Sequence, residues 1–135
     1  MNDDSYHPHH LDVSDERFEA LISEALDSLP EKYVTRLLQD VAVTWADDPS
    51  PEQRVQLNLH PNETLFGLYE GVALTRRNGN TGMLPDKITI FKGPILAYCH
   101  DLDELREQIR KTLWHEMAHY FGLDHPKIYE LGGGP

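Results

Sequence analysis

The sequence predicts an α+β domain on three observations. Apolar residues recur at helical spacing near its start, two short middle stretches alternate apolar and polar residues, and a second helical stripe runs towards its end. At 135 residues it can build one modest core and not two. Residues 1–13 open with the polar, acidic run MNDDSYHPHHL and are expected to be a disordered tail; residues 14–135 are expected to form a single domain.

The elements follow in order. Phe18, Leu21, Ile22, Ala25, Leu26 and Leu29 keep the i, i+3, i+4, i+7 spacing of one helix face, with Ser14 able to cap the start and Pro30 to end it. A second, shorter helix is expected from about Glu31 to Leu38. Val41, Val43 and Trp45 then alternate as a half-buried strand does. DDPSPE, Asp47 to Glu52, reads as a loop. Leu65 to Thr75 is rich in strand formers but broken by Gly67 and Gly71, and RRNGNTG is a turn-rich excursion. Ile88 and Ile90 mark a strand over Lys87–Phe91, closed by Gly93-Pro94. The last helix has Asp101 as cap and Glu104 in the capping-box position, with Leu102, Leu105, Ile109, Leu113 and Met117 as its stripe.

Charge and composition remove several functions. A net charge of -11 repels phosphate backbones, so nucleic acid is a disfavoured partner. No stretch approaches the roughly 20 apolar residues of a membrane helix, and the N-terminus lacks the basic and apolar regions of a secretory signal. Cys99 is the only cysteine, so no intramolecular disulfide forms; with no signal, the expected compartment is the cytoplasm. Cys99 itself reads as a small buried hydrophobe rather than a nucleophile.

Chemistry concentrates in HEMAHYFGLDH, His115 to His125, which holds three of the eight histidines. On a helix, His115 and His119 stand roughly 40° and 6 Å apart on one face, so both can reach one metal ion. They point roughly 120° from the centre of the apolar stripe, which puts a metal beside the core rather than inside it. Glu116 projects where a carboxylate can serve a water without being a ligand. An unbroken helix would carry His125 to the far side, but Gly122 can take the left-handed conformation that turns the chain back and delivers it as third ligand. Histidines at a helix end are ordinary, because the dipole favours them there. The H-E-x-x-H pattern alone arises in a random chain of this composition at roughly a few per cent; Gly and His at the further offsets lower that to about one in several thousand. Three imidazoles and an open position suit one zinc ion per chain, with Asp124 and Glu130 as candidates to orient the rings. The HPHH run at His7 to His10 reads as a surface tail, and His60 and His100 are isolated.

The H-E-x-x-H-x-x-G-x-x-H string resembles the signature of the metzincin metallopeptidases. With FGLYEGVALT (Phe66–Thr75), LPDKITIFKGPI (Leu84–Ile95) and HEMAHYFGLDHPKIYELG (His115–Gly132), the chain from about Phe18 onward resembles a family of small bacterial metallopeptidase-like proteins with a minimal zincin fold. The resemblance implies a small mixed sheet packed against the active-site helix, with the metal in a shallow cleft. Many members of that family carry Asp at the position of His125, so this chain stands nearer the metzincin ligand set. It departs from the metzincins in size and in having no Met after Met117, so their Met-turn is absent.

The implied activity is zinc-dependent hydrolysis of peptide or protein substrates, with Glu116 as general base. The oxyanion donor is open among Tyr129, Tyr98, Tyr120 and His100, and an extended substrate is expected along an edge strand at Val72–Thr75. Two other classes stay open. One is a zincin-like protein that binds metal or a partner and cleaves nothing. The other is a metal-dependent endoribonuclease, because H-x3-H-x5-H also resembles the rRNA maturation enzymes; Glu116 and the acidic charge count against it.

Overall fold

A computed structural model describes residues 11–58, 65–74 and 86–122. Its elements run α1 (Asp15–Ser28), α2 (Glu31–Asp40), β1 (Val41–Ala46), α3 (Pro51–Asn58), β2 (Gly67–Glu70), β3 (Asp86–Phe91), α4 (Lys92–Tyr98) and α5 (Leu102–Phe121). The fold is α+β: five helices and a small three-stranded mixed sheet among the described residues. The strand order is β1-β3-β2, with β1 parallel and β2 antiparallel to the central β3.

Helix α1 forms where its stripe and cap place it. The Ser14 hydroxyl accepts the Arg17 N–H at 3.1 Å, and Asp15 and Glu16 lie in the first turn, where the helix dipole favours negative charge. Phe18, Leu21, Ile22 and Ala25 are buried, and the helix lies against α5. At the start of the described residues Leu11 and Val13 pack against the core, with Val13 buried, because apolar side chains next to a forming helix can share its interface. Residues 1–10 lie outside the described residues.

Two short helices occupy stretches read as breaks. The loop over Asp47–Glu52 ends early, because α3 starts at Pro51. Ser50 and Gln53 form a reciprocal capping box, each side-chain oxygen accepting the other's backbone N–H at 3.1 and 2.9 Å, and Pro51 takes the first helical position, where its missing N–H costs nothing. Strand β3 does end before Gly93-Pro94, but the chain then winds into α4. Gly93 serves close approach here: its N–H donates to the Asp47 carbonyl at 2.8 Å, and an added Cβ would stand 2.8 Å from that same oxygen.

The sheet separates two apolar clusters. Ile88 and Ile90 face α1 and α5 and are fully buried, each contributing about 2 kcal/mol by removal from water. Phe91, on the opposite face, meets Leu68 and Leu57. On α5, Leu105, Ile109, Leu113 and Met117 are fully buried as their spacing predicts, whereas Leu102 in the first turn is 38% exposed because it lies past the edge of the core.

Candidate metal centre on the last helix

Helix α5 is fixed at both ends. At its start the Asp101 carboxylate accepts the Glu104 N–H at 2.8 Å. Glu104 reaches back one residue further than expected, to the His100 N–H at 2.7 Å. At its end Gly122 has φ 76° and ψ 25°, the left-handed conformation expected of it, and its N–H returns to the His119 carbonyl at 3.0 Å.

Between those ends the helix changes character. From Thr112 to Tyr120 every residue is buried except His115 and His119, which are part-exposed. The two imidazoles therefore line an open seam in a helix otherwise wrapped by protein. Their ring centroids are 4.8 Å apart, and the Nε2 atoms face each other at 3.2 Å. Two ligands of a tetrahedral zinc ion, each at about 2.0–2.1 Å, stand about 3.3–3.4 Å apart, so this pair fits such an ion closely.

Glu116 lies beside the pair and is 2% exposed. Its Oε1 accepts the backbone N–H of Tyr69, on β2, at 2.9 Å. This contact joins residues 47 apart in sequence, and no local pattern signals it. Tyr69 is held in turn: its hydroxyl donates to Asp86 Oδ2 at 2.6 Å, and its ring stands edge-on to Tyr120 at 6.1 Å. Tyr69 and Asp86 were not among the residues the sequence singled out.

His125, with Asp124, Glu130 and Tyr129, lies outside the described residues, as do His60 and the HPHH run. Among the described residues no three His, Cys, Asp or Glu side chains gather into a metal-ligand group. The other expected oxyanion donors are placed elsewhere. Tyr120 is fully buried, and its hydroxyl donates to Asp40 Oδ2 at 2.5 Å. His100 pairs with Glu104 at the start of α5, about 22 Å along the helix axis from His115. Tyr98 stands at that same end, its ring 5.2 Å from Phe66. Cys99 is 1% exposed, and burial, then Glu104 and Asp101, pushes its thiol up to about 11, so it is the inert hydrophobe expected. Val72 to Leu74 are not strand, and Thr75 lies outside the described residues; among the described residues β1 and β2 are the sheet's two edges, and pairing of β2 with β3 ends at Glu70.

Comparison with known proteins adds a family. Residues 38–134, most of the chain and all of the site, match the family model described as zincin-like metallopeptidase. The chain belongs to that family. This zincin-like protein also resembles the solved structure of a conserved hypothetical protein from Thermo thermophilus, with a TM-score of 0.52 and 21% identity over 81% of this chain and 94% of that one. At that identity the likeness shows the fold alone. No curated protein sequence matches. Among the described residues of the zincin-like chain, no helix is long and apolar enough to cross a membrane.

Proposed function

We propose that this zincin-like protein is a zinc-dependent peptidase, with His115, His119 and His125 holding one zinc ion and Glu116 serving as general base. One observation carries the reading: two facing imidazole nitrogens at 3.2 Å line the open seam of α5, with a buried, backbone-anchored carboxylate beside them. Zinc in such a site would supply Lewis-acid polarisation of the scissile carbonyl and a more acidic water. The remaining work falls to the chain. Glu116 accepts the proton lost by the attacking water and delivers it to the departing amine as the C–N bond breaks. Its anchored oxygen keeps the carboxylate from turning away, which limits the motion separating base from water.

An extended peptide would run beside β2, the strand next to Glu116. The charge of -11 favours neutral or basic peptides over acidic ones, with a difference that shrinks in high salt. The test is zinc content and turnover, measured on untagged protein prepared without added metal. Wild type should carry about one zinc per chain and hydrolyse members of a broad peptide library, while His119→Ala should lose most of its metal. Zinc-loaded wild type that cleaves no peptide would leave a metal-binding protein without peptidase activity. Cleavage of RNA that survives Glu116→Gln would identify a nuclease.

A further inference from the structure

Glu116 is anchored by a backbone group, which every substitution of residue 69 except proline leaves in place. The donor is a backbone N–H, so its position depends on what holds β2 in place at residue 69. The Phe66 carbonyl accepts the Phe91 N–H at 2.8 Å, so even-numbered residues of β2 turn their backbone groups towards β3. Tyr69, one step out of phase, turns its N–H away from the sheet and towards α5. The ladder makes no bond to this N–H; it holds only the plane of the 68–69 peptide, through the Leu68 carbonyl. The Tyr69 side chain adds a second hold on the same residue: its phenol reaches diagonally to Asp86, a carboxylate 3% exposed at the start of β3. The chain then closes over that carboxylate at Gly71, where an added Cβ would stand 2.2 Å from Asp86 Cγ.

We propose that Tyr69 is a positioning residue for Glu116, and that Asp86, enclosed by Gly71, locks Tyr69 in the conformation that presents its N–H. The catalytic consequence rests on the peptidase reading, but the coupling between the phenol and the amide does not. A structural contact of the phenol would stabilise the sheet as a whole. A positioning contact acts on one amide and, through it, on one carboxylate.

The experiment follows residue-69 amide exchange by NMR in the full-length, zinc-loaded chain, alongside zinc content and peptide hydrolysis. Glu116→Ala should speed exchange at residue 69, which establishes what protects it. Tyr69→Phe removes only the hydroxyl and should speed the same amide by about tenfold or more, while the amide of Thr89 in the central strand stays within about threefold of wild type. Its kcat should fall roughly ten- to a hundredfold with KM within about twofold and zinc retained, as misorientation of a base requires. Gly71→Ala, which displaces the Asp86 carboxylate without touching Glu116, should reproduce both effects. Asp86→Asn, which keeps an oxygen acceptor for the phenol, should leave residue-69 exchange and kcat close to wild type. Unchanged residue-69 exchange in Tyr69→Phe would overturn the inference. So would equal acceleration across the sheet, or faster exchange with unchanged kcat in an active enzyme. A wild type without turnover would defeat the peptidase reading alone, and the exchange measurements would still decide the coupling.

Discussion

Helices α1 and α5 lie against each other and share one core, yet they are buried in different ways. On α1 the buried residues form one face, Phe18, Leu21, Ile22 and Ala25, and the opposite face is open to water. The first half of α5 is similar, with Leu105 and Ile109 inward and Asp103, Glu104 and Glu107 outward. Its second half is wrapped almost all round, and what stays open is the strip carrying His115 and His119. A helix covered on one side exists to complete a core. Covering nearly every side and leaving two imidazoles at a seam takes extra protein, and the result is a part-exposed histidine pair with a buried carboxylate beside it. Burial strengthens each electrostatic contact there.

Four substitutions test this division, starting from the largest effect. Glu116→Gln, in the wrapped half, should leave fold and zinc content intact while turnover falls by roughly two to four orders of magnitude. Retained turnover would remove Glu116 as the base. Phe18→Ala, on the one-faced helix, should cost about 3–5 kcal/mol in a denaturant titration, because Phe18 is fully buried. Zinc stoichiometry of the remaining folded protein should not change; if it does, the two helices are not separable in role. Gly122→Val forces a β-branched residue into a left-handed turn at a cost of about 1–2 kcal/mol. Zinc titration should then show roughly tenfold weaker binding, since a change of about 1.4 kcal/mol is tenfold. Ser14→Ala removes one cap bond from α1 and should cost about 1 kcal/mol with no change in zinc affinity.

What the sequence made legible was local. The caps at Ser14 and Asp101, the stripes of α1 and α5, and the turn at Gly122 are each set by residues within a few positions of one another, so spacing alone reveals them. Helix α3 was legible too, in the Ser50 and Gln53 box with Pro51 between, but Asp47, Asp48 and two prolines outweighed it as loop signals. Helix α4 offered no such sign. It has seven residues, Phe91 as N-cap without a side-chain bond, and a Gly-Pro pair in its first turn. Its support is tertiary, from the Gly93–Asp47 bond and the burial of Ile95 and Leu96. The site divides likewise. His115, Glu116, His119 and Gly122 share one helix end and read directly, whereas the Tyr69 anchor arrives from another strand and the Tyr120–Asp40 bond spans 80 residues.

The placement of the two tryptophans gives this protein a pair of optical reporters, one for each helix. Trp114 precedes His115, is 3% exposed and meets the Tyr33 ring edge-on at 5.8 Å. Trp45 is only part-buried; its indole N–H donates to Glu19 at 3.0 Å and its ring packs edge-on to Phe18 at 5.8 Å. An indole in a dry, apolar pocket emits at shorter wavelength than one bonded at the surface. With Trp45 replaced by Phe, the emission that remains follows the seam of α5 alone; with Trp114 replaced by Phe, it follows the seating of α1. Loading the histidine pair with a paramagnetic ion such as Co2+ should then dim the first protein strongly and the second weakly, which turns occupancy of the proposed metal site into a colour and intensity reading on unlabelled protein.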